Sequence, residues 1–295
     1  MSQENTPSSG SDNSGATKNA ADFSYAEGRR YHGESESPYP LPNDMTEINR
    51  LDTQHYLLQN LTGKSYHAPI DNPKRVLDIG TGTGIWMREM SEKLPESEFL
   101  GLDIVPRPAD VSFAQNCHFE AANILKGIPR PDNHFDFVFG RLLFTGIPEQ
   151  SWAFYAKECA RVCAPGGWVE MMELNARICD GGKFGDRFSD LMIAALAKRG
   201  VASETVDVIE NYMQDAGLVD IRVEEFKMPL GNWGDRLGTL FWENAIMVAK
   251  GMIPMYVAAL GIPADELRQE LKEIDEGVQQ HRAYVTVRVV CGRKS

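Results

Sequence analysis

The sequence predicts an α/β protein: a mostly parallel, seven-stranded sheet with helices on both faces, a helical cap and an N-terminal arm. Three observations lead there. From Arg75 onward, short apolar runs alternate with stretches of helical periodicity, the pattern of strands joined by crossover helices. The first such run, Val76-Leu77-Asp78-Ile79, passes directly into Gly80-Thr81-Gly82-Thr83-Gly84, where glycines leave backbone room at the end of a strand. The composition, 42% hydrophobic and 24% charged over 295 residues, is that of a globular chain with a full core.

In chain order, residues 1–22 are dominated by Ser, Asn, Gly, Thr and Ala, too little apolar surface to offset ordering entropy, and are expected to form a disordered tail. Residues 23–74 are expected to hold an arm and a helix. The arm, "YAEGRRYHGESESPY" over 25–39, mixes aromatics with turn formers and is expected to be ordered by docking. The helix spans 44–61, because Ile48, Leu51, His55 and Leu58 recur at spacings of three and four and Gly63 supplies a stop.

The main domain, 75–295, begins with strand 75–79, helix 84–94, and strands 98–103, 117–121 and 135–140. Helix 148–163 and strand 167–174 follow. Beyond Asn175 the pattern is mostly helical, at 185–199, 204–216, 234–250 and 264–279, with strands near 219–228 and from Ala283. The helices in 176–217 and 230–280 are expected to cap the ligand-binding edge of the sheet. The run 265–276 reads as an amphipathic helix with Leu267, Leu271 and Ile274 inward and an acidic face in solvent.

Thirty Lys and Arg against 42 Asp and Glu give a net charge of −12, which disfavours nucleic acid as a partner. The five cysteines are scattered; the spacing of Cys159 and Cys163 has no finger-like complement, so reduced core thiols are expected rather than a metal site. No basic patch followed by an apolar core marks the N-terminus, and the longest apolar run, 251–264, is too short to span a bilayer. A soluble, intracellular protein without a membrane partner is expected.

A Gly-rich turn between strand and helix is where doubly wound sheets bind nucleotide-like ligands. The dinucleotide spacing G-x-G-x-x-G requires Gly at 85, where Ile85 stands, and the Gly-Lys-Ser/Thr ending of a phosphate loop is missing. The spacing is D-x-G-x-G-x-G, from Asp78 to Gly84. Nineteen residues beyond Gly84, the next strand ends in Asp103, placed to accept hydrogen bonds from both hydroxyls of a ribose. Two carboxylates and no phosphate-binding lysine suit a cationic cofactor without phosphate.

These residues resemble the class I S-adenosylmethionine-dependent methyltransferases, whose sheet is Rossmann-like. "FDFVFGR" at 135–141 and the Pro165-Gly166-Gly167 turn agree with that family over 75–175. The flanks "GRRYH" at 28–32, "YPLPNDMTEINRLDTQHYLL" at 39–58, "FGRLLFTGIP" at 139–148, "PGGWVEMMEL" at 165–174 and "VVCGRK" at 289–294 are similar to the fungal LaeA-like methyltransferases. Phe139 stands where many of those have histidine. The resemblance implies S-adenosylmethionine as cofactor, held by Asp78, Gly80, Thr81, Gly82, Gly84, Asp103, Ile104, Asn123 and Ile124, with Arg141 as an anchor or a structural ion pair.

Tyr31 and His32 on the arm are expected to contact cofactor or substrate or to exclude water. Glu173 is the candidate catalytic base, with capping a helix or pairing with Arg141 as the alternative. Trp86 is expected either near the cofactor or in the core. Phe144, Trp152, Trp233, Phe241 and Trp242 are candidates for an apolar acceptor pocket, and core burial is the alternative for most. Methyl transfer to O, N or C of a small molecule in fungal secondary metabolism is the implied function. The competing function is that of a LaeA-like regulator, cytoplasmic or nuclear, with a velvet-type protein partner.

Overall fold

Strand order fixes where a ligand can sit. The computed structural model describes residues 23–34, 36–106 and 114–295; the expected disordered tail, 1–22, lies outside them. Seven strands, β3 (Arg75–Ile79), β4 (Glu98–Asp103), β5 (Cys117–Ala121), β6 (Phe135–Arg141), β7 (Cys163–Leu174), β8 (Leu218–Pro229) and β9 (Tyr284–Lys294), form one sheet in the order β5-β4-β3-β6-β7-β9-β8. The first five are parallel, and β9 enters antiparallel between β7 and β8. The chain leaves β3 toward β5 on one side and returns to β6 on the other. The carboxyl ends of the adjacent β3 and β6 therefore flank the crevice where the order reverses. β3 and β6 are buried almost throughout, as central parallel strands are when helices cover both faces.

The arm opens with a hairpin of β1 (Ser24–Ala26) and β2 (Arg29–Tyr31). Its two turn residues, Glu27 and Gly28, are both left-handed, the geometry that matches the twist of paired strands. Helix α1 (Met45–Thr62) starts at Asp44, whose carboxylate accepts the Glu47 N–H at 3.1 Å, and stops at left-handed Gly63. Helix α2 (Ile85–Lys93) follows the glycine turn, and α3 (Trp152–Val162) leads into β7.

The cap comprises α4 (Gly182–Ala197), α6 (Asp235–Gly251), α7 (Ile253–Leu260) and α8 (Ala264–Val278), packed on one another, with α1 against α6. Helix α7 was not expected. Pro254 reads as a breaker in sequence but occupies the first helical turn, where its missing N–H is not needed. Helix α5 (Ile209–Asp215), expected in the cap, packs instead on α3, β8 and β9, burying Ile209 and Met213 toward the sheet. α8 buries Leu267, Leu271 and Ile274 and turns its charged side outward.

Trp242 joins three cap helices. Its ring lies 5.4 Å from Phe188 of α4, and its indole N–H donates to Asp275 of α8 at 2.7 Å. Trp242→Ala is expected to cost about 3–5 kcal/mol through the cavity it opens, with a further loss from the unpaired Asp275. Urea unfolding monitored by circular dichroism measures this; a loss below about 1 kcal/mol would remove Trp242 from the core.

Candidate active site

The turn after β3 enters the left-handed region at Gly80, Gly82 and Gly84, with φ of 64°, 55° and 74°. A side chain at Gly80 would also displace the end of the Leu143 side chain, but the positive φ is what requires glycine there. The Thr81 N–H donates to Leu102 O at 3.0 Å, fastening the turn to the end of β4. The Thr81 hydroxyl donates to Asp78 at 2.5 Å. Burial pushes Asp78 up to about 7, against the opposing pull of that hydroxyl and of Arg141.

Asp103 accepts the Gly82 N–H at 2.8 Å on one oxygen and the Val105 N–H at 2.9 Å on the other, and burial raises its pKa. Beyond β5, the Asn123 side-chain oxygen accepts the Leu125 N–H at 3.0 Å. Its amide nitrogen is buried with no partner among the described residues. α1 lies across the turn: Thr83 donates to Asp52 at 2.6 Å, and Leu51 reaches over Gly82.

These groups border one cavity of about 460 Å³. One half has the turn, Asp103, Ile104, Asn123, Ile124 and Arg141 in its wall. The other runs under the cap between Ile178, Phe188, Met192, Phe241 and Val248, with a polar strip of Arg50, Gln54 and Asn244 where α1 meets α6. Volume and mixed lining are those of small-molecule sites.

Of the residues expected to hold a cofactor, Asp78, Gly80, Thr81, Gly82, Asp103, Ile104, Asn123, Ile124 and Arg141 come together in this wall. Gly84 and Tyr31 do not. Gly84 is the left-handed residue that starts α2. The Tyr31 hydroxyl donates to Gly251 O at 2.8 Å, tying the arm to the end of α6. His32 is engaged with Tyr39 O at 2.9 Å.

Glu173 is also outside the wall and fully buried. Its oxygens accept the Leu143 and Phe144 N–H groups at 2.8 and 3.2 Å, which sets the turn after β6 where Leu142 is left-handed. It shapes the site without facing it. Trp86 stacks on Phe139 at 4.0 Å and its N–H donates to Ser65 O. Phe144 and Phe241 line the cavity; Trp152 and Trp242 are core, and Trp233, 41% exposed, donates to Ala283 O outside it.

Asp52, Thr83, Arg50 and Asn244 were not anticipated. The available signal was polar residues on the inward side of α1, where Glu47, Arg50 and His55 are buried. Among the described residues no cluster of three or more His, Cys, Asp or Glu could hold a metal, and no helix is long and apolar enough to cross a membrane.

Residues 52–223 match the family described as a methyltransferase domain. The chain belongs to that family. It is 34% identical over 221 residues to the methyltransferase pytC of Aspergillus terreus, covering 72% of this chain and 67% of pytC. It is 27% identical to the N-methyltransferase verN of Clonostachys rogersoniana, over 84% of this chain and 89% of that one. The secondary metabolism regulator laeA of Coprinopsis cinerea is 30% identical over 52% of this chain and 40% of its own length. The solved YcgJ protein of Bacillus subtilis, 17% identical, superposes with a TM-score of 0.51 over 82% of this chain and 99% of that one, sharing the fold. The resemblance drawn from the glycine turn and its flanks thus holds at the level of family and fold, and this protein is a methyltransferase.

Four carboxyls of the methyltransferase have pKa values raised chiefly through burial: Asp78 and Glu170 to about 7, Glu173 to about 8, and Asp103. Each binds more protons folded than unfolded, so its contribution is complete below the unfolded value near 4.5 and is lost as pH rises toward 8. Thermal stability is expected to fall between pH 5 and 8, and Glu173→Gln is expected to flatten part of that slope. Scanning calorimetry across this window checks it; stability rising through pH 8 contradicts the assignment.

Proposed function

We propose that this methyltransferase transfers the methyl group of S-adenosylmethionine to a small, largely apolar metabolite; the names of its fungal relatives pytC and verN describe those proteins as a methyltransferase and an N-methyltransferase. The observation that carries this is one cavity with two unlike halves, a polar half at the glycine turn and an apolar half under the cap. The polar half fits the cofactor. The positive-φ glycines leave room for it, Asp103 offers a carboxylate to ribose hydroxyls, and Asn123 presents an unpartnered amide to an adenine edge. Arg141, with no carboxylate at ion-pair distance among the described residues, offers an unspent cation to the amino-acid carboxylate.

When bound, S-adenosylmethionine supplies an electrophilic methyl group on a sulfonium. The protein's part is to hold the acceptor in line with it and to exclude water. α1 and the arm close one side, through Asp52 on Thr83 and Tyr31 on Gly251. The apolar wall seats the acceptor, and the strip of Gln54 and Asn244 orients its polar atom. Among the described residues the cavity wall has no histidine or lysine, while Asp52, Asp78 and Asp103 stand in it; the part of the rate assigned to the wall is positioning.

Asp103→Ala removes charge-assisted hydrogen bonds worth about 1.5–3 kcal/mol each, so calorimetry with S-adenosylhomocysteine is expected to show at least tenfold weaker binding. Unchanged affinity would sink the assignment. Incubation of host extract with methyl-labelled S-adenosylmethionine is expected to label a low-molecular-weight product, and label found only in protein would favour a regulatory role.

A further inference from the structure

His55 is buried on α1, 1% exposed, and has no part in the function described above. Its Nδ1 stands 3.0 Å from Nη2 of Arg141, at the end of β6. Its Nε2 stands 3.1 Å from Glu89 of α2. Asp52, three residues earlier on α1, is the other charged group that faces it.

Arg141 has five N–H donors and nothing else to accept them: among the described residues its one side-chain hydrogen-bond partner is His55. Its guanidinium also lies over the Phe139 ring, 5.9 Å from the centroid, and that ring is itself clamped by stacking on Trp86. An arginine keeps its proton, so Nη2 is the donor and the imidazole must present a lone pair at Nδ1. The neutral tautomer protonated at Nε2 meets this; Glu89 lies 3.1 Å from that nitrogen, with no hydrogen bond formed between them. Burial first, and the Arg141 charge second, lower the His55 pKa, which keeps that lone pair available at neutral pH.

We infer that His55 is a positioning residue for the cofactor carboxylate. Through Nδ1 it holds the Arg141 guanidinium in the cavity wall. The inference rests on the assignment of S-adenosylmethionine to the polar half of the cavity. It makes α1 part of the cofactor site through two contacts, Asp52 on the glycine turn and His55 on Arg141, so that docking of α1 and cofactor affinity rise and fall together.

The test is calorimetry of the full chain with S-adenosylhomocysteine in a double-mutant cycle. His55→Leu is expected to weaken binding about tenfold, through one lost charge-assisted hydrogen bond. His55→Asn, whose side-chain oxygen stands near the position of Nδ1, is expected to recover most of that loss. In an Arg141→Leu background, His55→Leu is expected to have no further effect. Equal affinities for wild type and His55→Leu, failure of asparagine to rescue, or an undiminished effect without Arg141 would each overturn the inference while leaving the cofactor assignment standing. Wild type that does not bind S-adenosylhomocysteine would overturn both. Nitrogen-15 shifts of the His55 ring in the wild-type protein give a readout free of any substitution: the proton is expected on Nε2, and a proton on Nδ1 refutes the contact.

Discussion

A turn that must enter the left-handed region three times in five residues governs the architecture around the cavity. Only glycine does this without strain, and at Gly80 the end of the Leu143 side chain packs against the space a Cβ would take. The turn lies where β3 and β6 part, so it forms the floor of the crevice. Everything near it is fastened to it. Thr81 is bonded to β4 through Leu102 and to β3 through Asp78, Asp103 accepts the Gly82 N–H, and Asp52 of α1 accepts from Thr83. A disturbance of the turn thus reaches β4, α1 and the cavity at once.

The same device recurs along the carboxyl edge. A buried carboxyl in the sheet takes two backbone N–H groups of a segment that would otherwise be loose. Glu173 does so for the turn after β6, and Glu170 for His67 and Ala68 in the connection from α1 to β3. A carboxylate that must leave water for such a task is costly, and the raised pKa values record that cost. The buried pair of Glu47 and Arg50, bonded to Asn244, joins α1 to α6 in the same spirit. Two greasy surfaces would adhere in several registers; a charge pair with one amide partner selects a single register, and with it the width of the acceptor half.

The sheet was legible in sequence because central parallel strands read as continuous apolar runs, each closed by Gly, Asp or a turn. β3, β4 and β6 are examples, and the reach from Gly84 to Asp103 located the polar half of the cavity. Five features were not legible. The hairpin at 24–31 has strands of three residues, below any periodicity. α7 was hidden by Pro254. Glu173 reads as a candidate base, with capping or pairing as the alternative, because a strand buried on both faces has no pattern that tells one face from the other. Trp233 and Trp242 look alike as aromatic residues of late helices, yet one caps a strand end and the other is core; partners distant in sequence, Ala283 and Asp275, decide it. α1 showed helical spacing but not its role, since its inward polar residues find their partners on the turn, β6 and α6.

The central claim is that α1 and the glycine turn form one cofactor-binding unit at the parting of β3 and β6. Hydrogen–deuterium exchange of the full chain, with and without saturating S-adenosylhomocysteine, tests it most directly. Slowed exchange is predicted together at residues 80–84, 103–106, 122–125 and 48–58, with the edge strand 218–229 unchanged. Protection of the turn with residues 48–58 unaffected, or protection confined to another face of the sheet, would contradict it.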